Sequence, residues 1–242
     1  MKKRKKAKAD IMEKLAERIG IFDFWAVFFP GSIGMLELLF FISTFWSIHR
    51  KCPFLDVVNT IALDNITILV ILIFISLFLG IIFQEIGRWL RIKTKKPNAA
   101  DIFLNPSAGI FMDDEYTLLR SFLIKYGWDG KSTKGSKAIF HRINAEAQEC
   151  EVAGKYVKLG VLQNMSASLS AVMLIGTITS TGLFIYSLLC NRRNIALLMG
   201  GVDLICVFLI VLFFKRSIRF NRYWVRNIIF AMLEKNERIG KT

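Results

Sequence analysis

Four long apolar runs, separated by charged or turn-forming segments, set the pattern of the chain. The first covers residues 21–48, with Asp23 at its start and Glu37 inside. The second covers residues 66–87 and is uncharged from Ile66 to Ile82. The third, residues 161–190, carries no charge at all. The fourth, residues 195–214, carries one, Asp203. A helix needs roughly 20 mostly apolar residues to cross a bilayer. All four runs meet that with modest extension or tilt, and four such runs in 242 residues argue against a set of buried core helices.

Between and around these runs the pattern turns amphipathic. Residues 1–20 form a basic leader in which Ile11, Leu15, Ile19 and Phe22 keep helical spacing among Lys and Arg, as in a helix lying on anionic lipid. It reads as a signal anchor: the apolar run that follows is too long for a cleaved signal peptide. Residues 88–160 hold the only segment long enough for a soluble module. There, Lys95-Lys96-Pro97-Asn98 ends the extension of the second run, and Asn105-Pro106-Ser107-Ala108-Gly109 reads as a turn. Asp113-Asp114-Glu115 opens a helix ending near Tyr126-Gly127, with Leu118, Leu119, Phe122 and Leu123 on its apolar stripe. A loop over residues 128–136 follows, then a helical pattern from Lys137 through Ile139, Ile143, Ala147 and Cys150, with an interruption expected near Gly154 or Gly160. Residues 215–242 form a basic tail helix, Phe220, Trp224 and Ile228 on one face and Arg219, Arg222 and Arg226 on another. The tail is expected either on the membrane surface or against the 88–160 module.

Composition changes the picture by forcing segregation. Hydrophobic residues make up 54% of the chain, yet its net charge is +14. The 21 Phe and 5 Trp exclude a disordered chain, and four scattered Cys exclude a disulfide framework. The basic residues are unevenly placed: eight, thirteen and eight Lys/Arg in the leader, the middle segment and the tail, against two in each of the other two connections. Cytoplasmic loops carry the excess of Lys and Arg. The fold class expected is therefore all-α: a multi-pass plasma (inner) membrane protein with four spans, both termini cytoplasmic and a cytosolic helical insertion between spans two and three. Each inside segment is net basic, which invites a nucleic-acid reading. Topology explains most of that excess, and no RNA-binding, zinc or helix-turn-helix signature is present, so nucleic acid is the less favoured partner.

Candidate chemistry lies in the charges at membrane depth, where an unpaired carboxylate costs several kcal/mol. Glu37 and Asp203 sit roughly 16 and 12 Å from the outer ends of their helices at 1.5 Å per residue, so the two can share one layer. Glu37 shares a face with Pro30, Gly34 and Phe41, and Asp203 with Gly200 and Cys206. Small neighbours direct both faces at other helices. No Lys, Arg or His within the spans is available to pair with them. The acids can hydrogen-bond across helices and fix oligomer packing, line a cation or proton path, or serve catalysis, the least favoured of the three. Pro30-Gly31 is a candidate kink or break in span one. In span three, Ser166, Ser170, Thr177 and Thr181 fall on one face, which suits either close helix packing or the wall of a narrow wet pore.

Other sites are poorly supplied. A Cys52–Cys190 disulfide is geometrically conceivable, since both fall near the outer face. His49 and His141 fall on opposite sides of the membrane, and His141 shares no tight ligand face with Cys150, so no metal site is expected. No phosphate-loop, dinucleotide, nucleophile-elbow or zincin motif occurs, and no cofactor is expected.

The basic leader, Phe22-Asp23-Phe24-Trp25, the early Pro30-Gly31, three further spans and a helical insertion resemble the small four-span bacterial membrane proteins encoded beside antiphage defence genes. The resemblance covers the architecture and about ten residues. It implies spans that oligomerise and an inside module that receives a signal from a cytosolic protein partner. The expected function is thus a non-enzymatic membrane protein, a homo-oligomer whose cytosolic helices couple a partner or ligand to the packing of the spans, as a pore-like or membrane-perturbing effector. A membrane anchor or scaffold that recruits a cytosolic partner, and a small-solute or ion transporter, are the alternatives. The transporter lacks an evident inverted repeat, and a lipid-directed enzyme lacks a polar cluster at one interface.

Overall fold

In the computed structural model of the chain, the structure describes residues 2–50, 66–94, 98–129, 135–149 and 156–239. Every regular element among them is helical, with no strand. The elements are α1 (Lys2–Arg50), α2 (Ile66–Lys93), a single turn α3 (Ala99–Ile102), a 3-10 turn (Pro106–Ala108), α4 (Asp113–Lys125), α5 (Ser136–Glu149), α6 (Val157–Leu189) and α7 (Arg193–Ile239). Four helical stretches are long and apolar enough to cross a membrane: Phe24–His49, Val70–Lys93, Lys158–Leu189 and Arg193–Glu237. The reason is local: dense Leu, Ile, Phe and Val propagate a helix and leave no polar face to settle in water.

Two helices are longer than the apolar runs that seed them. The leader and first run form one helix, α1, and the fourth run and tail form another, α7. No break interrupts α1 at Pro30-Gly31. Proline there removes a single N–H, and the flanking backbone bonds carry the helix across. Gly160 likewise lies inside α6. Residues 150–155, where the other interruption is expected, lie outside the described residues, as do Cys52, Cys150, Lys95 to Pro97, most of the 128–136 loop and the leader side chains that form its apolar face.

The chain divides into two compact units. The first comprises Met1–Phe22, Lys95–Gln163 and Ser217–Thr242. Its core is built from three helical stripes: Leu119, Phe122 and Leu123 of α4 with Tyr126 at its C-cap; Ile139, Phe140, Ile143 and Ala147 of α5; and Val225, Ile228, Ile229 and Met232 of α7. Phe103, Leu104, Ile110 and Phe111 close it. The tail thus packs on the 88–160 segment, the second of its two expected settings. The α4 stripe is rotated from the expected one. Leu118 is 64% exposed, and Tyr126, a turn beyond Leu123, is buried in its place.

Polar groups lock this unit. Glu115 accepts the Met112 N–H at 2.8 Å, closing the α4 N-terminus, and its other oxygen pairs with Arg226 of α7. The Tyr116 hydroxyl lies 2.8 Å from the Phe103 carbonyl and 3.0 Å from that of Asn105. Helix α3 has no side-chain cap of its own. The orphan N–H of Ala99 donates instead to Asn221 Oδ1 of α7 at 2.7 Å. Asn221 Nδ2 donates to Gln163 Oε1 at 3.0 Å, and Ser217 Oγ to the Gln163 carbonyl at 3.0 Å.

The second unit comprises Asp23–Thr94 and Asn164–Arg216. It is held by close backbone approaches at glycine. A Cβ on Gly31 would land on the Ser76 carbonyl of α2, and one on Gly80 on the Val27 carbonyl of α1. A Cβ on Gly87 would come 2.6 Å from the Ala167 carbonyl of α6. Small residues permit such contact between apolar helices, where dispersion and not hydrophobicity drives packing. Phe83, Ala171, Val172, Met173 and Cys206 form the buried centre.

Candidate functional site in the apolar bundle

Glu37 and Asp203 both face α6, which carries no charge from Leu159 to Leu189. Glu37 lies on the buried line of α1 marked by Pro30, Gly34 and Phe41. Its carboxylate packs on α6 at Gly176, where an added Cβ would meet Glu37 Oε2 and Oε1 at 3.0 and 3.1 Å and Cys206 Sγ at 3.2 Å. Gly176 therefore leaves the room that the carboxylate occupies. Asp203 lies one helical turn further along α6: its Oδ1 accepts hydrogen bonds from Ser180 Oγ at 2.8 Å and Thr181 Oγ1 at 2.9 Å. Gly176 and Ser180 are about 6 Å apart along a helix axis at 1.5 Å per residue, so the acids occupy adjacent levels. Cys206, one turn along α7 from Asp203, stands between them as a buried free thiol.

The two acids differ in satisfaction. Asp203 has two hydroxyl donors, and Glu37 has no hydrogen bond or ion pair among the described residues. A carboxylate left without donors in an apolar layer is costly unless it is protonated, hydrated or bound to a cation. The site thus consists of one pinned acid, one uncommitted acid and a thiol.

The span-three hydroxyls divide in the same way. Ser166 and Ser170 are buried, Thr177 is half-buried and Thr181 is exposed. Ser170 and Thr177 donate to the carbonyls one turn back, of Ser166 and Met173, at 3.0 and 2.9 Å. Their polarity is consumed within the helix. Only Ser180 and Thr181 of this helix turn a hydroxyl on an acid. Pro30 is buried, and Gly31 is buried at the α1–α2 contact.

Sequence reasoning did not pair Asp203 with Ser180 or Glu37 with Gly176, but a signal for the first pair is present. The α6–α7 turn is tight, with Asn191 in the left-handed conformation (φ 56°) and Arg192 N–H donating to the Ser187 carbonyl at 2.8 Å. In an antiparallel hairpin folded there, residues equidistant from the turn face each other, which sets 203 against 180. At the turn end of this hairpin Cys190 is a free thiol; Cys52, its conceivable disulfide partner, lies outside the described residues. Among the described residues no group of three His, Cys, Asp or Glu is placed to hold a metal.

Fold and site together define a class: a protein all-helical among the described residues, with four helices long and apolar enough to span a membrane, carrying Glu37 and Asp203 against a helix uncharged from Leu159 to Leu189. No protein-family model matches the chain, and comparison with curated proteins and with solved structures yields no match either.

Proposed function

We propose that the chain is a non-enzymatic inner-membrane protein that assembles with copies of itself, and that its module, residues 88–160 with the tail, lies in the cytosol and couples a protein partner or ligand to the packing of the spans. Engagement of the module changes the permeability of the bundle. The observation that carries this reading is the contrast between Asp203, pinned by two hydroxyls, and Glu37, without a donor beside Gly176. Such a pair gives the bundle one fixed and one uncommitted charge, and a small rotation of α6 exposes the second to water or a cation. Supporting it, α6 and α7 each contribute residues to both units, and within the first unit the Gln163–Ser217–Asn221 hydrogen bonds tie the two helices to each other. The resemblance to antiphage-associated membrane proteins supports defence as the biological setting.

A scaffold that only recruits a partner to the bilayer is the second reading. It is favoured by the satisfied Asp203, which in that case serves packing alone. Ion flux through liposomes holding the purified chain separates the two, with Glu37→Ala and Asp203→Ala beside wild type and the particle mass measured in detergent. The effector reading expects an oligomeric particle and a flux that Glu37→Ala alters with the particle mass unchanged. Flux at the level of empty liposomes, with and without the partner, overturns it in favour of the scaffold.

A further inference from the structure

The end of α2 carries a second polar feature that the acid layer does not use. Arg88 and Arg91 stand three residues apart on one helix, so their guanidinium groups project from neighbouring positions. Neither pairs with a carboxylate among the described residues. Arg91 is half-buried and donates only to the Asn164 side-chain oxygen, at 3.3 Å. Trp89, between them, is 54% exposed, and Lys93 Nζ lies 5.5 Å from its ring centre. Arg88 and Arg91 thus present two forked donors with no carboxylate partner among the described residues, while Trp89 and Lys93 lie together on the adjoining flank of the helix.

The helix below them is shaped for a lipid. Ile81, seven residues before Arg88, lies on its face and is 55% exposed, and Phe78, ten residues before it, flanks that face and is 65% exposed. At 1.5 Å per residue Phe78 is about 15 Å from Arg88, the half-thickness of a bilayer's hydrocarbon. Glu85 is exposed one turn below Arg88 and makes no ion pair with it. We infer that Arg88 and Arg91 bind the phosphate of an anionic phospholipid whose acyl chains lie along Ile81, with Trp89 at headgroup level on the adjoining flank. Guanidinium forks match phosphate oxygens two to two, and an indole sits well at headgroup level. This rests on the membrane-spanning reading.

The test uses the full chain in phosphatidylcholine vesicles with and without phosphatidylglycerol. Flotation with either vesicle comes first, because failure to float overturns the membrane reading and this site with it. From floated protein, the lipid retained after detergent extraction is measured by mass spectrometry. Wild type is expected to hold phosphatidylglycerol about tenfold above its bulk share, equivalent to about 1.4 kcal/mol. Arg88→Gln/Arg91→Gln returns the ratio to bulk, while Arg88→Lys/Arg91→Lys, which keeps the charge and controls for folding, retains part of it. Flotation without enrichment, or enrichment that the Gln pair leaves intact, overturns the site alone. Displacement of the lipid by millimolar inorganic phosphate reassigns the arginines to a soluble anion and likewise overturns it.

Discussion

Asn221→Leu is the most informative single change, because one amide does two jobs at a distance. Its oxygen supplies the missing cap of α3, and its nitrogen ties α7 to α6. Leucine has nearly the same shape, so packing is conserved while both hydrogen bonds are lost. Ala99 is only 2% exposed, and its N–H then has no acceptor. An orphaned buried donor costs about 1–3 kcal/mol, and the lost bond to half-buried Gln163 adds about 1 kcal/mol, giving roughly 2–4 kcal/mol in all. That is a large share of a typical stability of about 5–15 kcal/mol. The cost falls locally, so hydrogen–deuterium exchange read by mass spectrometry is the assay. Amides of residues 98–104 should exchange roughly 30- to 700-fold faster, since each 1.4 kcal/mol is a factor of ten. Amides of residues 166–173 in α6 should be unchanged. Asn221→Asp keeps the acceptor for Ala99 and loses the donor, and should fall between. Wild-type exchange at 98–104 in the Leu variant would refute the capping role and with it the claim that α7 anchors the 98–108 segment.

Three further outcomes follow from other contacts. Burial, with Asp113 and Glu115 adding negative charge nearby, pushes the Tyr116 phenol up to about 12. Its contribution is complete below pH 10, where both states are protonated, and is lost between pH 10 and 12 as only the unfolded state ionises; stability should fall by roughly 2–3 kcal/mol over that range, and Tyr116→Phe should remove that share of the slope in alkaline unfolding curves. Gly31→Ala places a methyl on the Ser76 carbonyl, so α1 and α2 must separate, at a cost of about 1–3 kcal/mol or more, seen as a lower unfolding temperature in detergent. Ser180→Ala with Thr181→Val strips Asp203 of both donors and should cost about 2–4 kcal/mol in detergent unfolding, most of it recovered when Asp203→Leu is added, a non-additivity that a double-mutant cycle measures.

What the sequence displays well is what repeats along a helix. The apolar runs announce four span-length helices, and the Ile139, Ile143, Ala147 spacing announces the buried face of α5, because both depend on neighbours three and four residues away. Leu118 shows the margin of that method: one position on a stripe is about 100° of rotation, and Tyr126, whose hydroxyl donates to Glu146 at 2.8 Å, takes the inward place. Contacts between distant elements leave no periodic trace. Nothing near Ala99 points to Asn221, 122 residues on. The acids stand out by their charge, but the place of Glu37 does not, because Gly176 contributes by the absence of a side chain. The continuity of α1 and α7 is hidden for a related reason: where apolar run meets basic segment, composition changes and backbone does not.

The placement of both acids against α6 also sets an order of events during biosynthesis. Asp203 reaches its donors within a single hairpin, so on the membrane-spanning reading it and Ser180 enter the bilayer together. Glu37 emerges about 140 residues before Gly176, which at 5–20 residues per second is roughly 7–28 s of translation. For that interval the nascent first helix carries a naked carboxyl, and something other than its eventual neighbour, whether a proton, lipid headgroups or the insertion machinery, must shelter it.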